Sequence, residues 1–308
     1  MYCIGLDIGG PKCAVSLGQI DGDRITIIDR HEVKTDTPKS TLSQLMPYAK
    51  AWIDEYGVRL CGISCGGPLD SHSGIIISTP NLDTSWHGFN IVKYVEEVLG
   101  VRAALRNDAN ASALAEWRFG AGRGTKNMIF MTFGTGLGAG LILDGRLYEG
   151  TNGNAGEIGH IRLAESGPIG FGKAGSAEGF CSGGGIRNLA LIRAKERGVE
   201  LDDTVTTKDI FARARTGDAL CLDVIRESAV NFGTVLAILI DLFNPEIIVA
   251  GGVFMRNYDL FMPFITPIIE KEALNDATRV CKILPAEIGE SIGDYAALAI
   301  ATELMDEE

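Results

Sequence analysis

One arrangement occurs twice along the chain and leaves few folds open. Tyr2 to Ile8 reads as a strand, Gly9-Gly10-Pro11 as a turn, and Cys13 to Leu17 as a second strand. Ile25 to Val33, beyond Asp21-Gly22-Asp23, reads as a third. The same order returns at Met128 to Phe133, Gly134-Thr135-Gly136-Leu137-Gly138, Ala139 to Leu143, Asp144-Gly145 and Arg146 to Glu149. An internal repeat of strand, glycine turn, strand, Asp-Gly turn, strand implies two similar domains facing each other. The chain has 308 residues, 46% hydrophobic and 22% charged, which is globular and long enough for two ordinary domains.

The glycine turns decide what those domains can hold. The second one superficially satisfies a dinucleotide pattern, but that fingerprint must open a helix, and Leu141-Ile142-Leu143-Asp144-Gly145 follows instead. Neither turn ends in the Gly-Lys-Ser/Thr of a Walker loop. What remains is a pair of β-hairpins whose bare backbone can cradle phosphates from two sides, because glycine permits close approach and successive N–H groups bind anions. The alternative is two ordinary hairpin turns; the repetition favours phosphate.

Between the repeats, Ser40 to Tyr56 reads as a helix ended by Gly57, and Leu60 to Ser64 as an apolar strand entering Gly66-Gly67-Pro68. Ile75 to Ser78 reads as another strand, followed by Thr79-Pro80-Asn81 and an amphipathic helix at Asn90 to Leu99. Its apolar positions Ile91, Val92, Val95, Val98 and Leu99 follow helical spacing and are expected in the core. Strands alternating with helices indicate a mixed α/β sheet. An extended run, Val101 to Leu105, then leads into Arg106-Asn107-Asp108-Ala109-Asn110 and an alanine-rich helix stopped by Gly120 and Gly122. That puts a carboxylate at a strand-to-helix junction, where backbone N–H groups and the helix dipole are expected to hold Asp108 ionised and fixed in direction. Such a group can orient a substrate hydroxyl and accept its proton; the alternative is that Asn107 or Asp108 is only an N-cap.

Beyond the second repeat, Glu157 and His160 are three apart and would share a face in a helical turn. The pair suits hydroxyl recognition, metal binding if further ligands exist, or plain surface polarity. Glu178 lies in a glycine-rich run from Gly167 to Gly185, a lid or a loop. A helical block follows at Gly184 to Arg197, Lys208 to Arg215 and Ala219 to Phe243, stopped by Asn244-Pro245. Glu246 to Ala250 make a strand ending in Gly251-Gly252-Val253, either a nucleotide contact or a tight turn. The last helix, about Gly293 to Leu304, is expected to pack back across the sheet.

The formal net charge of −12 argues against nucleic acid or anionic membrane as a main partner. Seven cysteines without a C-x-x-C spacing read as reduced thiols. The chain opens directly on a strand, with no visible signal peptide, and its longest apolar run, Val235 to Phe243, contains Asp241 and is too short to span a bilayer. A cytoplasmic protein is expected.

Five motifs now stand in order: Asp7-Ile8-Gly9-Gly10-Pro11-Lys12, Asn107-Asp108, Phe133-Gly134-Thr135-Gly136-Leu137-Gly138, Gly156-Glu157-Ile158-Gly159-His160 and Val249-Ala250-Gly251-Gly252-Val253. In that order they resemble the ROK family (repressor, open reading frame, kinase), sugar kinases on the actin-like, hexokinase-type, ribonuclease H-like α/β fold. The resemblance covers nearly the whole chain. It implies two domains around a cleft: residues 1–116, with the C-terminal helix at about 293–306 packing back onto them, and residues 117–292. It further implies ATP held by the paired hairpins and phosphorylation of a sugar hydroxyl, usually the 6-hydroxyl, with a homodimer as the assembly. Asp108 resembles the family's catalytic base and Asn107 its sugar-binding neighbour. Glu157, His160 and Glu178 match positions that hold sugar hydroxyls, and Gly67, Thr79 and Asn81 resemble further sugar contacts. Asp7 resembles the carboxylate that positions magnesium through water. Gly9, Gly10, Lys12, Gly134, Thr135 and Gly136 would line the phosphates, with Gly251 and Gly252 near the nucleoside.

Two departures alter that expectation. ROK kinases commonly carry Cys-x-Cys-Gly-x-x-Gly-Cys-x-Glu, whose cysteines join a histidine on zinc. The corresponding run here, Ile169 to Glu178, keeps the glycines and Glu178 but has none of the thiolates. Structural zinc is therefore not expected, and stoichiometric zinc in purified protein would sink that reading. Apolar packing by Ile169 and Phe171 is expected to replace it. Pro11 stands where the family usually has threonine, so the first turn loses a hydroxyl and an N–H. Weaker nucleotide binding is one consequence, and a merely stiffer turn the other. A sugar-responsive regulator without activity is the competing function. Family repressors carry a helix-turn-helix ahead of the kinase region, which here begins at Met1, so DNA binding is not expected. An actin-like ATPase or chaperone is disfavoured because Glu157, His160 and Glu178 suit a small polyol pocket. The sequence does not name the sugar: a hexose, an N-acetylhexosamine or a glycoside all fit.

Overall fold

The computed structural model describes residues 1–306 of the chain. Three antiparallel strands open it: β1 (Tyr2–Ile8), β2 (Lys12–Asp21) and β3 (Arg24–Lys34). Helix α1 (Pro38–Tyr56) starts where the Thr37 hydroxyl accepts the Ser40 N–H and stops at Gly57, whose φ of 66° is a left-handed cap. Strand β4 (Leu60–Cys65) then returns parallel to β1. Three two-residue strands, β5 (Leu69–Asp70), β6 (Ile75–Ile76) and β7 (Phe89–Asn90), form a small separate sheet before α2 (Ile91–Leu99). Strand β8 (Arg102–Asn107) closes the first large sheet in the order β3-β2-β1-β4-β8, and α3 (Asp108–Phe119) leaves it.

The second half repeats the plan. Strands β9 (Met128–Phe133), β10 (Leu137–Leu143) and β11 (Arg146–Tyr148) form the meander. A long excursion carries the hairpin β12 (Ile169–Gly170) and β13 (Lys173–Ala174), then α4 (Ala177–Cys181), α5 (Gly183–Glu196), α6 (Thr207–Arg215) and α7 (Ala219–Phe243). Strand β14 (Ile247–Ala250) is parallel to β9; α8 (Gly252–Arg256), α9 (Tyr258–Glu272) and α10 (Asn275–Val280) follow. Strand β15 (Lys282–Pro285) completes the order β11-β10-β9-β14-β15, and α11 (Ile292–Asp306) ends the described chain. Both sheets thus share one connectivity, as the repeat predicts. Among the described residues no helix is long and apolar enough to cross a membrane.

Several boundaries differ from the sequence reading, each for a packing reason. Leu137 and Gly138 belong to β10 because they pair with Phe133 and Thr132, so the second glycine turn is only Gly134–Gly136. The run Ile75 to Ser78 is a strand only at Ile75–Ile76, where it has partners on both sides. On α2, Ile91, Val95 and Leu99 are buried but Val98 is 40% exposed, so the apolar stripe is one residue narrower. Helices α9 and α10 and strand β15 have no counterpart in that reading.

Two alanine-rich helices join the halves. Helix α3 is fed by β8 of the first sheet and packs on β9 and β10 of the second; α11, fed from the second half, packs on β1 and β4 of the first. The two helices also pack on each other. Glycines let them approach. A Cβ on Gly62 of β4 would lie 2.0 Å from the Ala297 carbonyl oxygen of α11, and one on Gly140 of β10 would lie 2.6 Å from that of Ala109 in α3. Three apolar clusters result: one under each sheet's outer helices, and a central one in which Leu114, Met128, Phe130, Leu298 and Ile300 bridge the lobes.

Candidate active site

The first glycine turn is held from three sides. The Gly9 N–H donates to the Lys12 carbonyl (3.1 Å), the Thr35 hydroxyl donates to the Gly9 carbonyl (2.7 Å), and the Thr35 N–H donates to the Pro11 carbonyl (3.2 Å). Gly10 faces the loop after β6, where an added Cβ would come within 2.8 Å of the Asn81 carbonyl oxygen. Asn81 is thereby brought to the turn, and Pro11 and Lys12 lie exposed at its tip. The Lys12 ammonium pairs with Glu32 at 2.8 Å. Arg30 continues the chain of charge, bonding Glu32 (2.7 Å) and Asp294 (2.8 Å), and Asp294 also accepts from the Ser16 hydroxyl (2.6 Å).

Asp7, the penultimate residue of β1, points at the start of α11: a Cβ on Gly293 would sit 2.5 Å from its Oδ2. Burial, then the nearby charges of Asp294 and Asp108, push its carboxyl up to about 6, with Arg30 and Lys12 opposing. An oxygen-only donor with like charges beside it is the chemistry of a hard divalent cation site. Among the described residues no three His, Cys, Asp or Glu side chains converge closely enough to ligate a metal ion by themselves. Asp7 therefore fits a hydrated cation shared with phosphate oxygens.

The second turn is closed by the Gly134 N–H donating to the Gly136 carbonyl (3.0 Å), and the Gly183 N–H donates to the Gly134 carbonyl (2.7 Å). That bond docks the N-terminus of α5 beside the turn. Gly252, with φ of 60°, starts α8 on the other side, where a Cβ would meet the Phe133 carbonyl oxygen at 2.1 Å. Gly251 donates to the Met131 carbonyl (3.0 Å). Thr135 is exposed between the two helix starts. Gly183, through its bond to Gly134, and Gly184, whose added Cβ would lie 3.5 Å from the Thr135 carbonyl oxygen, join the residues around the second turn, at a helix start of the kind that attracts anions. The sequence reading missed them, although Ser182 followed by three glycines carried the signal: its hydroxyl accepts the Gly185 N–H (2.9 Å) as the N-cap.

Asn107 caps α3, its Oδ1 accepting the Ala109 N–H at 2.9 Å, and its amide nitrogen lies 3.0 Å from where a Cβ on Gly67 would be. The Asp108 carboxylate accepts the same N–H at 2.9 Å. It is open to solvent on its cleft side yet ringed by both lobes. The helix start does favour the ionised form through the Ala109 N–H, but the surroundings act against it. Desolvation, with Glu157 adding like charge, outweighs the Ala109 bond and raises its carboxyl.

Glu157 and His160 bound a 3₁₀ turn (Ile158–His160) that presents Glu157 toward Asp108 from the other lobe. Glu178, the second residue of α4, accepts the Leu137 N–H (3.1 Å), and a Cβ on Gly136 would lie 2.6 Å from its Oε2. Glu178 and the second glycine turn thus touch at Gly136. Thr79 is only 3% exposed and its hydroxyl has no partner; Asn110 Oδ1, in the first turn of α3, is likewise buried and unpartnered. The hairpin β12–β13 also differs from expectation. Ile169 and Phe171 are 62% and 64% exposed rather than packed, because the hairpin tip projects outward; the Phe171 ring meets the His160 ring edge to face at 4.9 Å.

Two like sheets, interlocking helices and a cleft flanked by glycine turns define a protein of the actin-like ATPase fold. The profile of the ROK family matches residues 3–303, and the chain belongs to that family. It is 31% identical over 313 residues to a glucokinase of Streptomyces coelicolor, covering 97% of each chain. It superimposes with a TM-score of 0.78 and 30% identity on a ROK family glucokinase from Streptomyces griseus solved with glucose and AMPPNP, covering 98% of this chain and all of that one. It is also 29% identical to the DNA-binding transcriptional dual regulator NagC of Escherichia coli, covering 96% of this chain and 74% of the regulator.

Proposed function

We propose that the protein transfers the γ-phosphoryl group of ATP to a hydroxyl of a sugar, with Asp108 as the base. The observation that carries this reading is that Asp108 lies within electrostatic reach of Asp7 and of Glu157, while Glu178 is tied to the second glycine turn. Asp108 receives the hydroxyl proton at its carboxylate, which the Ala109 N–H, shared with the Asn107 amide oxygen, holds in place. Its raised affinity for protons suits a base that must take one up as the alkoxide forms. Asn107, Glu157, His160 and Glu178 hold the other hydroxyls, with Gly67, Thr79 and Asn81 lining the pocket; the unpartnered Thr79 hydroxyl supports a polar ligand there. Gly9, Gly10, Gly134, Thr135 and Gly136 present backbone to the phosphates, Lys12 can exchange Glu32 for a phosphate oxygen, and Gly251 and Gly252 flank the nucleoside.

Asp7 would hold magnesium through water, and the ion would neutralise charge on the bridging phosphate oxygens. Charge in a loose phosphoryl-transfer transition state falls on the transferring oxygens, so positioning and electrostatics carry most of the rate. The seven free thiols, six of them buried, support the cytoplasm as the location. A homodimer remains part of the proposal.

The test is ADP release with magnesium and ATP over a panel of hexoses, hexosamines and β-glucosides, glucose first because two of the relatives named above are glucokinases. Turnover on one sugar class is expected, with Asp108→Ala lowering kcat by roughly 10²- to 10⁴-fold. Sugar binding without turnover, in folded protein, would turn the reading to a sugar-responsive regulator, which the likeness to NagC keeps as the second candidate.

A further inference from the structure

The turn carrying Glu157 and His160 is poorly held by its own bonds. It contains one 3₁₀ hydrogen bond from His160 N–H to the Glu157 carbonyl (3.2 Å) and another from Ile161 N–H to the Ile158 carbonyl (3.1 Å), and no side chain caps its start. Among the described residues no group bonds to either ring nitrogen of His160. A short turn with bent bonds does not fix the direction of its last side chain, and rotation about χ1 and χ2 would move that ring by several ångströms.

Two contacts from the hairpin β12–β13 supply what the turn lacks. The Lys173 ammonium donates to the His160 carbonyl oxygen at 2.6 Å, in a partly buried setting. An ion–carbonyl bond of that length is of the charge-assisted kind, about twice as strong as a neutral one. The Phe171 ring meets the His160 ring at 4.9 Å and 67°, the edge-to-face geometry that aromatic rings favour. Phe171 reaches it from a left-handed backbone, φ 45°, next to Gly172 at 75°. A phenylalanine rarely adopts that conformation, so the hairpin tip is built to project this ring. The hairpin is itself anchored: Arg162 donates to the Ala174 carbonyl (2.8 Å), and Leu163 N–H donates to the Gly175 carbonyl (2.8 Å).

We infer that Lys173 and Phe171 are positioning residues for His160, one fixing its backbone and the other its imidazole, so that the hairpin sets the aim of the acceptor site. The kinetic part rests on the proposed sugar-kinase function; the positioning part does not. With only four histidines in the chain, the imidazole C–H resonances are few enough to assign. In the wild type the His160 resonance is expected to carry a ring-current shift from Phe171, lost in Phe171→Leu. Lys173→Met is expected to reduce that shift and speed amide exchange at residues 158–161, and Lys173→Arg to restore both. In turnover, Lys173→Met is expected to raise KM for the sugar about ten-fold, with kcat and KM for ATP nearly unchanged. A His160 signal and local exchange unaltered in Lys173→Met would overturn the inference. A signal that moves with Lys173→Met but does not respond to any sugar would uphold the positioning and count against the sugar site.

Discussion

Among single residues, Asp7 shows how a site can cost stability. Its carboxyl stands at about 6 against an ordinary 3.8 because it is buried among Asp294 and Asp108. The folded protein therefore binds a proton there more tightly than the unfolded chain. Stability tied to the neutral form is complete below the ordinary value and is lost as pH rises through about 6. Asp7→Asn should raise the Tm of ligand-free protein at pH 7.5 and leave it unchanged near pH 3.5, a comparison that scanning calorimetry makes directly. In the proposed reaction, which needs both Asp7 and Asp108 as carboxylates, the sign reverses: kcat/KM should fall as pH drops through about 6, where Asp7 gains its proton. A flat profile between pH 5 and 7.5 would contradict this. Such environments were only half legible in the sequence. Asn107 as a cap follows from its own neighbours, whereas the raised carboxyl of Asp108 comes first from burial between the lobes and then from the charge of Glu157 in the other lobe, neither of which a local pattern reveals.

For the elements, the glycines that matter most are those beneath the helices. Gly62→Ala would drive a methyl into the Ala297 carbonyl, 2.0 Å away, and neither β4 nor α11 can yield without breaking the central packing. A loss of about 1–3 kcal/mol in urea unfolding is expected, whereas Gly66→Ala, where an added Cβ meets nothing within 4 Å and the backbone is not left-handed, should cost less. Equal losses at the two positions would show that close helix approach is not the reason. The sequence announced both meanders, because glycine turns and alternating strands are local signals. It did not announce β15, a four-residue strand whose pairing is set by β14, nor α9, whose Pro263 and Pro267 read as breakers. Lys173 was equally silent, since its role exists only where the hairpin folds over the His160 turn.

At the level of the whole molecule, each lobe is finished by a helix that the other lobe feeds. Neither sheet covers its inner face until α3 and α11 have both crossed, and the central cluster belongs to both halves. Unfolding should therefore be a single cooperative transition in calorimetry; two separable peaks would show that the lobes melt independently. ATP and sugar together at 100 times their dissociation constants should each add about 2.7 kcal/mol to that one transition. The crossing also governs how this chain can be divided. A cut in the segment after α3 leaves a first fragment with an uncovered strip of glycines on β1, β2 and β4, and a second fragment whose β10 has lost its cover. Neither piece would be a protein in its own right, but expressed together each carries the helix that the other is missing, and two halves of one gene would behave as the subunits of an obligate heterodimer.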